Sequence, residues 1–174
     1  MLSTNKITLR AVEPQDLKFL YQCENDMPLW AYGTNKEPVS YFALKEHISS
    51  CGKGIYENKQ LRLIIVLNEK NVTVGAVDLY DFDYFNSRAG VGIYVAQEYQ
   101  NQGIGAETLQ LLTEYAFNFL NIHQLYAFVS ADNKKSIKTF IKAGFMLTAT
   151  LNQWQKTGKN FSDVNIFTKI SPND

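Results

Sequence analysis

The segment of this chain best equipped for chemistry is Gln100-Asn101-Gln102-Gly103-Ile104-Gly105-Ala106. A glycine-rich turn that enters a helix leaves several backbone N–H groups unpaired and presents the positive end of the helix dipole, so it holds phosphate oxygens without side-chain charge. A nucleoside-triphosphate-hydrolysing loop would need Lys and then Ser or Thr after its last glycine, where this chain has Ala106 and Glu107. A dinucleotide-binding turn would need a third glycine where Thr108 stands. Two glycines also serve a plain strand-to-helix turn, so the loop alone says only that a phosphate could sit there. Asp78 and Asp81, at the end of an apolar run, could accept a proton, and Glu98 is a third acidic group near the loop. Each also reads as an ordinary solvated carboxylate. Three residues apart on a strand, Asp78 and Asp81 fall on opposite parities, so only one of them faces a given cleft.

The elements that must position these residues follow from periodicity. Lys6–Arg10 alternates polar and apolar, and Glu13-Pro14 opens a helix with Leu17, Leu20 and Tyr21 on one face. An irregular stretch from Asn25 to Gly54 holds Pro28, Gly33 and Pro38, with a helix expected from Tyr41 to Cys51. Leu61–Leu67 and Val72–Tyr80 read as a hairpin closed by Asn68–Asn71. Asp81–Ser87 is expected as a turn and Arg88–Val95 as a strand whose glycines permit close backbone approach. Beyond the loop come a helix from Gly103 to Leu120, a strand from Gln124 to Ser130, a helix from Lys134 to Ala143 ended by Gly144, and a strand pair, Phe145–Gln155 with Phe161–Ile170. A meander that passes into crossover helices implies an α/β (α+β) fold: a mixed, mostly antiparallel sheet of about seven strands with helices on both faces.

The 174 residues, 45% hydrophobic and 20% charged, fit a single domain spanning 1–174. Seventeen basic and seventeen acidic residues cancel, so no global field draws nucleic acid or an anionic membrane. No stretch reaches the roughly 20 apolar residues of a membrane span, and the start lacks a leader pattern, so a cytoplasmic protein is expected. Cys23, Cys51, His47 and His123 lack metal-ligand spacing; both thiols read as packing residues and no metal is expected.

Gln100-x-x-Gly103-x-Gly105 after Val91-Gly92-Ile93-Tyr94-Val95 resembles the coenzyme A loop of the GCN5-related N-acetyltransferase (GNAT) superfamily. Asn133-Lys134-Lys135-Ser136 through Phe140 to Gly144-Phe145 resembles that family's second motif, and Ile7-Thr8-Leu9-Arg10-x-x-Glu13-x-x-Asp16-Leu17 its first strand and helix. In layout the nearest branches are the spermidine N-acetyltransferases and the ribosomal-protein alanine acetyltransferases.

The resemblance implies acetyl-CoA as cosubstrate and direct attack of a primary amine on the thioester; the amine belongs to a small molecule, a polyamine, a peptide or a protein. It places the pantetheine arm on the backbone of Ile93, Tyr94 and Val95, the pyrophosphate on the amides from Gln100 to Ala106 (Gln100, Asn101, Gln102, Gly103, Ile104, Gly105, Ala106), and further cofactor contacts at Asn133 and Ser136. Asn133 also reads as a helix N-cap. A backbone N–H near Val95 would polarise the oxyanion, and Asp81 or Asp78 would act as base. Phe140 occupies the position of the family's general-acid tyrosine, lining the cofactor site without a proton to give, and leaves water, Tyr94, Tyr80 or Ser136 as substitutes. That departure also motivates a second reading, a catalytically weak acyl-CoA-binding sensor. Glu37, Asp78 and Asp81 make only a modest acidic cluster for a polycation, whereas Trp30, Tyr32, Tyr41, Phe42, Tyr84 and Phe85 could line an aromatic acceptor pocket. A homodimer is implied by the family alone.

Overall fold

The computed structural model describes residues 2–30, 32, 36–50 and 54–172; Gly33 and Cys51 lie outside them. One sheet of eight strands runs in the order β1-β2-β3-β4-β5-β6-β8-β7. Its strands are β1 (Leu2–Ser3), β2 (Ile7–Ala11), β3 (Leu61–Leu67), β4 (Val72–Asp83), β5 (Arg88–Val95), β6 (Gln124–Ser130), β7 (Met146–Thr157) and β8 (Asn160–Ile170). All neighbours pair antiparallel except β5 and β6, which run parallel and are joined through helix α5 (Ile104–Asn118). The remaining helices are α1 (Leu17–Glu24), α2 (Met27–Trp30), α3 (Tyr41–Ser50), α4 (Ile55–Asn58) and α6 (Lys134–Lys142). The eighth strand is β1, whose two residues are too few to show a period. β4 continues to Asp83, so Asp81 is not in a turn: it sits in a bulge between Tyr80 and Asp83 with φ +49°.

Alternation sorts the side chains onto two helix-covered faces. Leu63, Ile65, Leu67, Val77, Leu79, Val91 and Leu125 bury against Leu109 and Leu112 of α5 and Phe140 of α6. On the opposite face Ile64, Val66 and Ala76 bury against Leu20 of α1 and Leu44 and Ile48 of α3. The long α5 therefore presses its N-terminus against the end of β5, where the chemistry was expected.

The β2–α1 corner is fixed by Asp16, 3% exposed, whose carboxylate takes two hydrogen bonds from Arg10 at 2.6 and 2.8 Å and one from the Glu13 N–H at 2.9 Å. Burial by itself would raise this carboxyl, but the Arg10, Glu13 and Thr73 donors outweigh it and hold it below the usual carboxylate range. A depressed folded value stabilises above the unfolded pKa of about 4 and ceases to do so as pH falls through the folded value. Asp16→Asn should therefore cost about 2 kcal/mol at pH 7, with the deficit against wild type shrinking in urea melts as the pH is taken down from the unfolded pKa of about 4. A deficit independent of pH would show that the charge is not what matters.

Candidate active site

β5 and β6 pair only from Arg88↔Gln124 to Gly90↔Tyr126. Beyond that point the two strands part, and Val91–Val95 faces Ala127–Ser130 across an open split. Which groups face the split follows from the ladders on the outer sides. The Ala96 N–H donates to Val74 O and the Tyr94 carbonyl faces Gly75, so Ala96, Tyr94 and Gly92 direct their backbone at β4. By the period of two, Val91, Ile93 and Val95 direct theirs into the split. On the other wall, Ala131 N–H donates to Asp163 O of β8, which turns the backbone of Phe128 and Ser130 inward. Of the three cofactor-contact residues expected on β5, Ile93 and Val95 are thus suitably aimed. The backbone of Tyr94 is already engaged with β4.

The split opens onto the loop. Asn101 (φ +60°) and Gly103 (φ +82°) turn the chain, and Gly103 is the N-cap of α5 with no side chain to cap it. The first helical bond runs from Glu107 N–H to Gly103 O, so the amides of Ile104, Gly105 and Ala106 have no helical acceptor. Gln100 closes the near side: its Nε2 donates to Val95 O at 2.9 Å and its Oε1 accepts from Lys135 Nζ at 3.0 Å. Gly105 serves a second purpose. A Cβ there would stand 3.0 Å from Thr139 Cγ2 and 3.9 Å from Ile93 Cδ1, so its absence lets α5 and α6 approach beside the split. Opposite, the Asn133 Oδ1 accepts from Ser136 N–H at 3.1 Å, which makes it the N-cap of α6. Uncapped amides, inward-facing strand edges and a glycine-only approach fit the diphosphate and amide-bearing arm of a coenzyme A thioester.

The acid–base candidates are separated by their surroundings. Asp78 is held by Arg62, Nε to Oδ1 at 2.7 Å and Nη2 to Oδ2 at 3.1 Å, while Arg62 Nη1 also meets Glu24 Oε1 of α1 at 2.9 Å. Two carboxylates share one largely enclosed guanidinium, whose own proton is held more tightly despite its burial. Both oxygens of Asp78 are thus engaged by Arg62 rather than open to an incoming amine. Asp81 is exposed, and the bulge breaks the parity expected from spacing, since Leu79 and Phe82 bury in the same core; its charge acts on both Tyr80 and Tyr126. Glu98 lies in the short turn Gln97–Tyr99 at the loop end, exposed, with its carbonyl accepting from Gln102 Nε2.

Phe140 is 2% exposed, edge-on to Phe145 and stacked on Phe167. Its ring belongs to the core cluster that backs the split. Among the substitutes, Tyr94 points to α1, packing on Phe19 and bonding Cys23, while burial pushes the Cys23 thiol up to about 11. Ser136 lies in the first turn of α6. Tyr80 crosses Gly90 instead: a Cβ on Gly90 would be 2.3 Å from the Tyr80 ring. Tyr41 packs on Tyr21, Trp30 Nε1 donates to Glu24 O, Phe42 and Tyr32 are exposed, and Tyr84 and Phe85 lie in the β4–β5 turn, 76% and 92% exposed.

Among the described residues no cluster of three or more His, Cys, Asp or Glu is placed to hold a metal ion, and no helix is long and apolar enough to cross a membrane.

Residues 6–146 match the acetyltransferase (GNAT) domain family. The spermidine N(1)-acetyltransferase of Vibrio cholerae is 28% identical over 142 residues, 82% of this chain and 80% of that protein. Its Escherichia coli counterpart is 28% identical over 151 residues, 87% and 78%. The ribosomal-protein-serine acetyltransferase of E. coli is 22% identical over 174 residues, 96% and 94%. The crystal structure of the Vibrio cholerae spermidine N-acetyltransferase in complex with CoA and spermine superposes with a TM-score of 0.86 at 25% identity, covering 97% of each chain. With the split, the uncapped helix and the family match in agreement, the chain belongs to the GNAT family and is an acetyl-CoA-dependent N-acetyltransferase.

Proposed function

We propose that this enzyme acetylates a primary amine of low charge, on a small molecule or on a peptide or protein, by direct attack within a ternary complex. The observation that carries the acceptor class is the Arg62 network. Glu24 and Asp78 would be the natural counter-ions of a polycation, yet both are bound to Arg62, and a polyamine needs clustered, unpaired carboxylates. Asp81 remains for a single ammonium and is the candidate base. The donor lies in the split: its pantetheine arm pairs with Val91, Ile93, Val95 and Asn133, and its pyrophosphate takes the amides from Gln100 to Ala106, with Ser136 adjacent. An inward N–H of β5 would carry the oxyanion. Residues 1–174 act as one domain, in the cytoplasm. The exposed Met146, Leu147 and Trp154 on edge strand β7 support a homodimer; a single monomeric mass by light scattering would remove it.

The test is CoA release from acetyl-CoA with a panel of alkyl and arylalkyl monoamines, amino-terminal peptides and spermidine. At least one monoamine or peptide should exceed spermidine in kcat/KM. A preference for spermidine would overturn the acceptor class. Acetyl-CoA binding without release for any acceptor would favour the sensor reading that Phe140 suggests.

A further inference from the structure

We propose that Tyr80 supplies the proton to the departing thiolate, the hydroxyl having moved from α6 to β4. The inference rests on the acetyltransferase reading above. Tyr80 and Gly90 are register partners on neighbouring strands, and Gly90 is also the last β5 residue paired with β6, opposite Tyr126. The vertex of the split is therefore Gly90, and the Tyr80 ring lies directly on it, a position closed to any other residue at 90 because a Cβ would collide at 2.3 Å. The ring is fixed from the far side by an edge-on contact with Tyr126 at 6.1 Å. Its hydroxyl extends toward the Phe128 N–H of β6, one of the backbone donors that face the split. A phenol that meets an N–H there does so through a lone pair, which leaves its O–H available as a donor.

An arm that enters at the Gln100–Ala106 loop and follows Val95 to Val91 covers about 13 Å at 3.3 Å per residue and brings its sulfur to this vertex. The amine nitrogen attacks the thioester carbon, the C–S bond breaks with its electron pair on sulfur, and the Tyr80 Oη–H proton passes to that sulfur. The acylated nitrogen sheds one proton, which restores Tyr80, so the count closes without another acid. Burial pushes the Tyr80 hydroxyl up, keeping it protonated at neutral pH, and a thiolate formed in the same enclosed space is raised in the same direction. Tyr94 faces α1, and Ser136 belongs to the first turn of α6, whose Lys135 reaches Gln100 of the loop. Phe140 then needs no hydroxyl.

Tyr80→Phe keeps the ring on Gly90 and should lower kcat about 100-fold or more, the range expected of one general acid, with acetyl-CoA affinity by calorimetry within threefold and an unchanged circular dichroism melt. Phe140→Tyr in that background should restore at least tenfold, which a purely structural role of Tyr80 would not allow. A kcat within threefold of wild type for Tyr80→Phe would overturn the assignment. So would a tenfold gain from Phe140→Tyr alone, because that gain would mean the wild-type site lacks an acid; this arm stands even if Tyr80→Phe fails to fold. Failure of all acceptors with wild type would instead sink the enzymatic reading, independently of Tyr80.

Discussion

Arg62→Ala should lower the melting temperature by about 6–20 °C. Arg62, Asp78 and Glu24 have side chains only 15%, 18% and 25% exposed. Deleting the guanidinium leaves two enclosed carboxylates facing each other, a loss on the order of 3–5 kcal/mol, and a chain of this length shifts by roughly 2–4 °C per kcal/mol. A fall below 3 °C in a calorimetric scan would mean that water reaches the site freely. Arg62→Leu with Asp78→Leu and Glu24→Leu should recover most of the loss, since an apolar replacement of the whole network removes the unpaired charges. The same variant bears on specificity. Freed carboxylates in Arg62→Ala should raise kcat/KM for spermidine relative to a monoamine, measured below the melting transition. An unchanged ratio would separate the network from acceptor choice.

Arg62 was visible in the sequence as the one charge inside Leu61–Leu67, but nothing in a period of two says which partners it takes. Its meeting with Asp78 needs the β3–β4 register, and its meeting with Glu24 needs the docking of α1. The same holds for Tyr80 and Gly90. The sequence offers one as a possible acid and the other as a glycine allowing close approach, yet the contact that joins them is a property of register. What local pattern does specify was legible: seven of the strands, the four long helices, the crossover after the loop and the cap at Asn133. The four-residue helices α2 and α4 and the two-residue β1 hardly exceed one period, so no repeat can announce them. The spacing argument for Asp78 and Asp81 failed because Asp81 adopts φ +49° in a bulge, a conformation an aspartate tolerates and one that resets alternation. The site was therefore legible where it is built from one segment, the loop, and illegible where it is built across strands.

The loop itself carries the last expectation. Gly103→Val should weaken acetyl-CoA binding by 100-fold or more in calorimetry while lowering the melting temperature by only a few degrees. Gly103 has φ +82° and ψ −6°, a region a β-branched residue occupies only under strain of roughly 1–3 kcal/mol. No heavy atom lies within 4 Å of a Cβ built there, so packing adds nothing to that cost. The binding loss has a different origin. The turn at Gly103 aims the N–H groups of Ile104, Gly105 and Ala106 at one point, and relaxing the strain rotates them away from the phosphate. Gly105→Val should behave differently, because its Cβ would press on Thr139 Cγ2 at 3.0 Å and wedge α5 from α6, so stability and binding fall together. Gly103→Asn decides whether conformation or bulk is responsible. Asparagine enters the left-handed region at low cost, so it should retain far more affinity than valine. Equal losses for the two would show that side-chain volume, not backbone geometry, controls the phosphate site.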